Sequence, residues 1–198
     1  MTLIKYSSLF ISMTFCLISC SKDSNNESLI EQEKNEDITI GLKKYAIEKG
    51  KFIGNLMRDE MFDNLQVYNG STNNILKTDY NAIVLGNKMK MSNLLRNRPQ
   101  DPFNVKIEDI NTGIIDKFVD YADKNNMRKR GHVMIWYKQI PTWLKNEAPN
   151  WSAQQVYDFS RSYILALSSY CKGKIDEWDV LNEGIINNGF RQETWYDI

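Results

Sequence analysis

The segment KIDEWDVLNEG, Lys174–Gly184, decides how this chain reads. From Ile175 to Asn182 it has the length and apolar content of a strand, and a strand sends successive side chains to opposite faces. Trp178, Val180 and Asn182 then share one face, and Asp179, Leu181 and Glu183 the other. A core-like element thus finishes on an amide and a carboxylate side by side, groups that are costly to bury without partners. Such an ending suits a strand whose tip faces a cleft.

Upstream, strands alternate with helices. Lys51–Met57, Asn81–Leu85 and Lys129–Tyr137 read as three earlier strands, with LKKYAIEK helical before the first. Between Asn111 and Asn125, the residues Ile114, Ile115, Phe118, Val119 and Ala122 form one apolar helical stripe. Ser152 and Gln155 make a capping-box pattern opening a helix to Cys171, and Gly173 follows where a left-handed cap is wanted. Val156, Phe159, Tyr163, Ile164, Leu167 and Tyr170 form its expected buried face. Strands alternating with helices imply an α/β fold with a parallel sheet, and such sheets carry function at the carboxyl ends of their strands. Here the second strand runs into GNKMK, the third into WYKQ and the fourth into NEG. Three polar tips in order suggest one shared functional face.

Three segments carry a family resemblance. WDVLNEG resembles the WDVVNEA of glycoside hydrolase family 10, the endo-1,4-β-xylanase family. RGHVMIWYKQIPTW, Arg130–Trp143, resembles its RGHTLVWHSQxPxW, and LGNKMKM, Leu85–Met91, its PENEMKW. The likeness runs from about Leu42 to the last residue. It implies a (β/α)8 TIM barrel that cleaves β-1,4-linked xylan or a related polysaccharide with retention of configuration, with neither cofactor nor metal. Carried over by position, it makes Glu183 the general acid/base and gives Asn182 the sugar 2-hydroxyl. His132, Trp136 and Gln139 would line the subsite beside the cleavage point, and Asn87 and Lys90 would hydrogen-bond the sugar on that side.

The residue types fit that chemistry. Breaking a glycosidic bond requires a carboxylic acid that protonates the leaving oxygen and later takes a proton from water. A Glu at a strand tip has the reach, and burial with neighbouring charge can raise its pKa. Asn182 adds a hydrogen bond that strengthens as charge develops. Each residue also has a plainer reading. Glu183 could be a solvated loop carboxylate, Asn182 a turn residue ahead of Gly184, and His132, the single histidine, a structural group. Trp136 could simply pack, as Trp143 is expected to do. Asp179 reads as a structural hydrogen-bonding group, and Arg128–Arg130 as a surface turn leading into the third strand.

The departures from the family pattern matter equally. A barrel of this class takes about 250 residues, and only four βα units can be counted here. The family's nucleophile, a Glu on the seventh strand, has no counterpart: Glu60, Glu108, Glu147, Glu177 and Glu193 all stand in surface or turn contexts. Retention needs two carboxyl groups about 5 Å apart. The expectation is therefore the first half of a barrel, with two open sheet edges, either truncated or completed by a complementing C-terminal half. Gly86 replaces a Glu of the pattern, removing a carboxylate acceptor for sugar hydroxyls, and Tyr137 replaces a second His. Two alternatives stand beside the hydrolase: a non-catalytic xylan-binding surface protein, and an inactive remnant of such an enzyme.

The amino terminus reads separately. Lys5 precedes an apolar run from Leu9 to Ile18, too short to span a bilayer but suited to a signal peptide. The run ends in Leu17-Ile18-Ser19-Cys20, which resembles the bacterial lipobox. That resemblance implies cleavage of residues 1–19, a lipid on Cys20 and an exported lipoprotein anchored at the cell envelope. Residues 20–37, rich in Ser, Asn, Asp and Glu, then form a flexible tether, and 38–198 the folded domain. Cys171 is left as a free thiol acting as a small buried hydrophobe. The 25 basic and 25 acidic residues cancel, so no net field points to a nucleic-acid partner.

Overall fold

The computed structural model describes residues 41–65, 70–187 and 189–191. The expected signal segment, the tether, Cys20 and Glu193 lie outside them. Four strands, β1 (Gly54–Met57), β2 (Ala82–Leu85), β3 (Arg128–Ile135) and β4 (Glu177–Leu181), form one parallel sheet in the order β1-β2-β3-β4. The connecting segments hold helices α1 (Leu42–Glu48), α2 (Asp59–Asp63), α3 (Ser71–Asp79), α4 (Met91–Leu94), α5 (Thr112–Lys124), α6 (Thr142–Glu147) and α7 (Ala153–Cys171). A short antiparallel hairpin, β5 (Ile185–Ile186) and β6 (Gly189–Phe190), follows β4. This is the expected run of βα units.

The sequence explains the two long helices. In α7 the Ser152 hydroxyl accepts the Gln155 N–H at 3.3 Å and the Gln155 side chain accepts the Ser152 N–H at 2.9 Å, so the capping box forms. Past Cys171 the chain turns through Gly173 at φ 75°, a left-handed conformation that glycine adopts without strain. The helix buries Phe159, Tyr163, Ala166, Leu167 and Cys171, while Val156, Ile164 and Tyr170 pack at the margin. The stripe on α5 buries Ile115, Phe118 and Ala122 in the same cluster as Met57, Ile83 and Leu85 from the strands. Each of these fully buried apolar side chains stabilises the fold by about 1.5–3 kcal/mol relative to exposure. Trp143 packs as expected, edge-on to Phe159, with its indole N–H donated to the Leu95 carbonyl at 3.2 Å.

Three expectations need correction. Arg128–Arg130 is the start of β3 and not a turn. Arg128 pairs with Glu177, and Arg130 with Asp179, across the β3–β4 ladder, while Lys129 reaches Asp123 and Asp176. Cross-strand charge pairs give this end of the strand its partners, so it carries no apolar alternation to read. The first strand begins at Gly54 and not at Lys51: Phe52 is exposed, and the Ile53 carbonyl instead accepts the N–H groups of Asn81 and Ala82. The fourth strand stops at Leu181, short of Asn182.

Among the described strands, β1 and β4 each pair on one side only. The open edges leave Leu56, Val180 and Leu181 about half exposed, as an unclosed barrel sheet would.

Candidate active site

Strands β1 to β4 are mutually parallel, so their carboxyl ends share one rim. The third and fourth tips meet through Ile135, whose carbonyl accepts the Asn182 N–H at 3.0 Å, one step beyond the end of β4. Glu183 follows at φ 52°, in the left-handed region. The period-2 alternation that put Glu183 on the face of Asp179 therefore ends before reaching it, and a turn now aims the carboxylate. Its Oε2 accepts the Trp136 indole N–H at 3.1 Å.

Trp136 is the hub. Lys90 Nζ stands 4.5 Å from the centre of its ring, within cation–π range. The same ammonium donates to Asn87 Oδ1 at 3.0 Å, and the Gln139 amide donates to that oxygen at 2.9 Å. Gln139 sits at φ 50°, and its carbonyl accepts the Ser92 N–H at 2.8 Å, tying the third tip to α4. His132 lies beside this group, its ring 6.3 Å from that of Trp136. His132 Nδ1 contacts Asp179 Oδ2 at 2.9 Å; with Nδ1 as the donor, Nε2 is the ring's acceptor. Asp179 is thus the structural group expected, shared between His132 and Arg130. Of the seven residues singled out for the cleft, Asn87, Lys90, Gln139, Trp136 and Glu183 are joined by hydrogen bonds or ring contacts, His132 lies beside Trp136, and Asn182 is held by its backbone at the end of β4.

The Glu183 pKa is lowered, not raised. The Trp136 indole hydrogen bond stabilises the anion most, and Tyr137, Lys138 and Arg191 add to it, against a smaller desolvation. The side chain stands exposed, so there is little burial to favour the neutral form. Lys90, by contrast, is buried, and that burial lowers its pKa against the opposing pull of the Asp59 and Glu183 charges. Asp179 is pushed up by burial, but Arg130 and His132 outweigh this and hold it below the usual range.

Three contributors escaped the sequence reading. Lys138 stands 4.9 Å from the Tyr137 ring centre. Arg191 is returned by the β5–β6 hairpin, its Nε donating to the Glu183 carbonyl at 2.8 Å and its guanidinium 4.0 Å from the Tyr137 ring centre. The Asn187-Asn188-Gly189 run between Ile186 and Phe190 was the available hairpin signal. Asp59, at the tip of β1, accepts the Lys88 N–H on Oδ1 at 3.2 Å. Of the carboxylates weighed as a second catalytic group, Glu147 pairs with Arg98 and Glu177 with Arg128, while Glu60 and Glu108 are exposed on helical turns. Among the described residues no cluster of His, Cys, Asp and Glu suits a metal ion.

Comparison with known proteins places this rim in a family context. Residues 41–198 match the model of glycosyl hydrolase family 10. Endo-1,4-beta-xylanase B from Thermotoga neapolitana is 28% identical over 123 residues, covering 62% of this chain and 32% of that protein. The crystal structure of native xylanase 10B from Thermotoga maritima superposes with a TM-score of 0.69 at 23% identity, over 80% of this chain and 45% of that one. Xylanase 10B from Thermotoga petrophila RKU-1, in complex with xylobiose, gives a TM-score of 0.65 at 22% identity, again over 80% and 45% of the two chains. The chain thus spans about a third of that curated relative and under half of the two solved chains.

Proposed function

The chain belongs to glycosyl hydrolase family 10, and on that premise we propose that it supplies the acid/base half of a retaining endo-1,4-β-xylanase site acting on xylan or a related β-1,4-linked polysaccharide. The observation that carries this reading is the Trp136–Glu183 hydrogen bond at the rim, beside Lys90, Asn87 and Gln139. An aromatic plate with neighbouring ammonium and amide groups suits a sugar ring and its hydroxyls. The xylobiose bound by the Thermotoga petrophila relative belongs to the same substrate class.

Glu183 performs two tasks in this scheme. With its pKa lowered in the open site, it starts as the carboxylate suited to take a proton from water. A sugar seated over Trp136 strips water from it and raises its pKa, so that the side chain takes up a proton from solvent, donates it to the leaving oxygen and, as a carboxylate again, later takes one from the attacking water. Asn182, held by its backbone N–H to the Ile135 carbonyl, takes the 2-hydroxyl in this reading. The nucleophile comes from a complementing C-terminal half barrel docked on the open edges of β1 and β4. Secretion with a lipid on Cys20, holding the domain at the cell envelope, completes the proposal. Labelling with radioactive palmitate, lost in Cys20→Ser, tests that part.

The central test is release of reducing ends from xylan by the chain supplied with a C-terminal half barrel of a family 10 xylanase, with and without Glu183→Gln. Activity in the parent that disappears in the variant supports the assignment; activity that survives Glu183→Gln refutes it. One observation favours a second reading, xylan binding without cleavage: of the carboxylates weighed as a second catalytic group, Glu147 and Glu177 are tied to Arg98 and Arg128, and Glu60 and Glu108 are exposed on helical turns. Retention on insoluble xylan, lost in Trp136→Ala, with no reducing ends released, would select that reading.

A further inference from the structure

We propose that Asp59, at the tip of β1, is a further substrate-binding residue whose carboxylate accepts sugar hydroxyls beside Lys90 and Asn87, in the space that Gly86 leaves open. The inference deepens the reading above and rests on it. It stands on three observations. First, a Cβ at position 86 would lie 3.0 Å from Asp59 Oδ1 and 3.3 Å from the Met57 carbonyl, so the Asp59 carboxylate occupies the ground where a side chain at 86 would begin. The strand-tip register permits this, because Met57 pairs with Leu85 and the Gly86 N–H donates to the Met57 carbonyl at 3.0 Å. Second, Oδ1 is fixed by the Lys88 N–H at 3.2 Å, and the residue is only half-buried, so the carboxylate is held in place while still reachable from the rim. Third, the charges of Asp59 and Glu183 both oppose the lowering of the Lys90 pKa, so the three groups act on one another through the same field.

The result is a row of polar groups along the rim: Asp59 from the start of α2 just past β1, Asn87 and Lys90 from the second tip, Gln139 from the third. A carboxylate acceptor beside an ammonium donor is the pairing that adjacent hydroxyls of a pyranose satisfy, one hydroxyl donating and its neighbour accepting. Gly86 is one of the two departures from the family pattern. On this account it removes a carboxylate from one strand tip while the neighbouring tip supplies another.

The alternative role for Asp59 is purely structural, as a tie between the start of α2 and the 86–88 turn. Asp59→Asn separates the two roles, since the amide oxygen can still accept the Lys88 N–H while the charge is lost. Xylotriose binding to the full chain is measured by calorimetry, with thermal unfolding alongside. The expected result is that Asp59→Asn weakens binding about tenfold at an unchanged unfolding temperature. Asp59→Ala weakens it further, and Asp59→Ala combined with Gly86→Glu recovers binding, because the carboxylate returns from the vacated side. If Trp136→Ala abolishes binding while Asp59→Asn leaves it within about twofold of the parent, this proposal fails and the functional reading stands. If Asp59→Asn loses binding and unfolding temperature together and the Gly86→Glu combination restores neither, Asp59 is a structural tie and the proposal is overturned. If the parent chain does not bind xylotriose, both readings fall.

Discussion

Strands β2 and β4 are close in length and differ in almost everything else. β2 has neighbours on both sides, and Ile83 and Leu85 are 2% and 0% exposed in the cluster shared with α5 and α7. β4 has one neighbour; Val180 and Leu181 are 50% and 49% exposed, and its inner side carries the Glu177 and Asp179 ion pairs. The difference teaches where each property of this chain resides. Cohesion comes from the helix-covered side of the central strands. The candidate site sits at the strand tips, part of it beside strands whose flanks are held by charge and hydrogen bonds.

The largest effect that would break this contrast is on stability. Phe118→Ala removes a fully buried ring from α5 and is expected to cost about 3–5 kcal/mol, whereas Leu181→Ala on the open edge costs under about 1 kcal/mol. Urea unfolding of the two variants measures both; equal losses would show that β4 is as well packed as the centre.

Next in size is the pH dependence of the β3–β4 ladder. Asp179 has a lowered pKa in the folded chain, because Arg130 and His132 overcome the opposing burial. A carboxylate with a depressed folded pKa contributes stability above its unfolded pKa, and that contribution is lost as pH falls through the folded one. Stability should therefore decline below the ordinary carboxylate range, and Asp179→Asn should flatten that decline. Guanidinium unfolding at a series of acidic pH values reads it out, and an unchanged profile in the variant would mean that the ladder carries no such coupling.

The buried side offers a chemical counterpart. Burial pushes the Cys171 thiol up to about 11, with Asp116 adding to it and Lys174 opposing. The folded chain should resist alkylation at mildly alkaline pH, while the unfolded chain reacts at the rate of an ordinary thiol. Rapid labelling of the native protein would place Cys171 on the open side of the contrast. The smallest effect is expected at Tyr163, fully buried with its hydroxyl unpaired among the described residues and its pKa raised by that burial. Tyr163→Phe should be neutral or stabilising by up to about 1 kcal/mol.

The same contrast explains what the sequence disclosed. The long helices were legible because their signals are local: the Ser152–Gln155 box, Gly173, and the apolar stripes of α5 and α7. The polar strand tips were legible because three of them carry family motifs. Arg128–Arg130 was misread because its partners, Glu177 and Asp179, lie about fifty residues away and leave no local pattern. Glu183 was assigned to the right rim, but its left-handed backbone cannot be read from alternation, and its lowered pKa depends on Trp136, Lys138 and Arg191 converging from two elements. Asp59 was invisible for a related reason: what distinguishes it is an absent side chain at Gly86, on the neighbouring strand.

The account turns on Glu183 sharing a sugar-binding rim with Trp136. A pH titration of the Glu183 carboxyl carbon by NMR, without and with xylobiose, tests it most directly. The free chain should titrate below the ordinary glutamate value and shift upward when the sugar covers the side chain. A midpoint that xylobiose leaves unmoved, while the sugar demonstrably binds elsewhere on the chain, would contradict it.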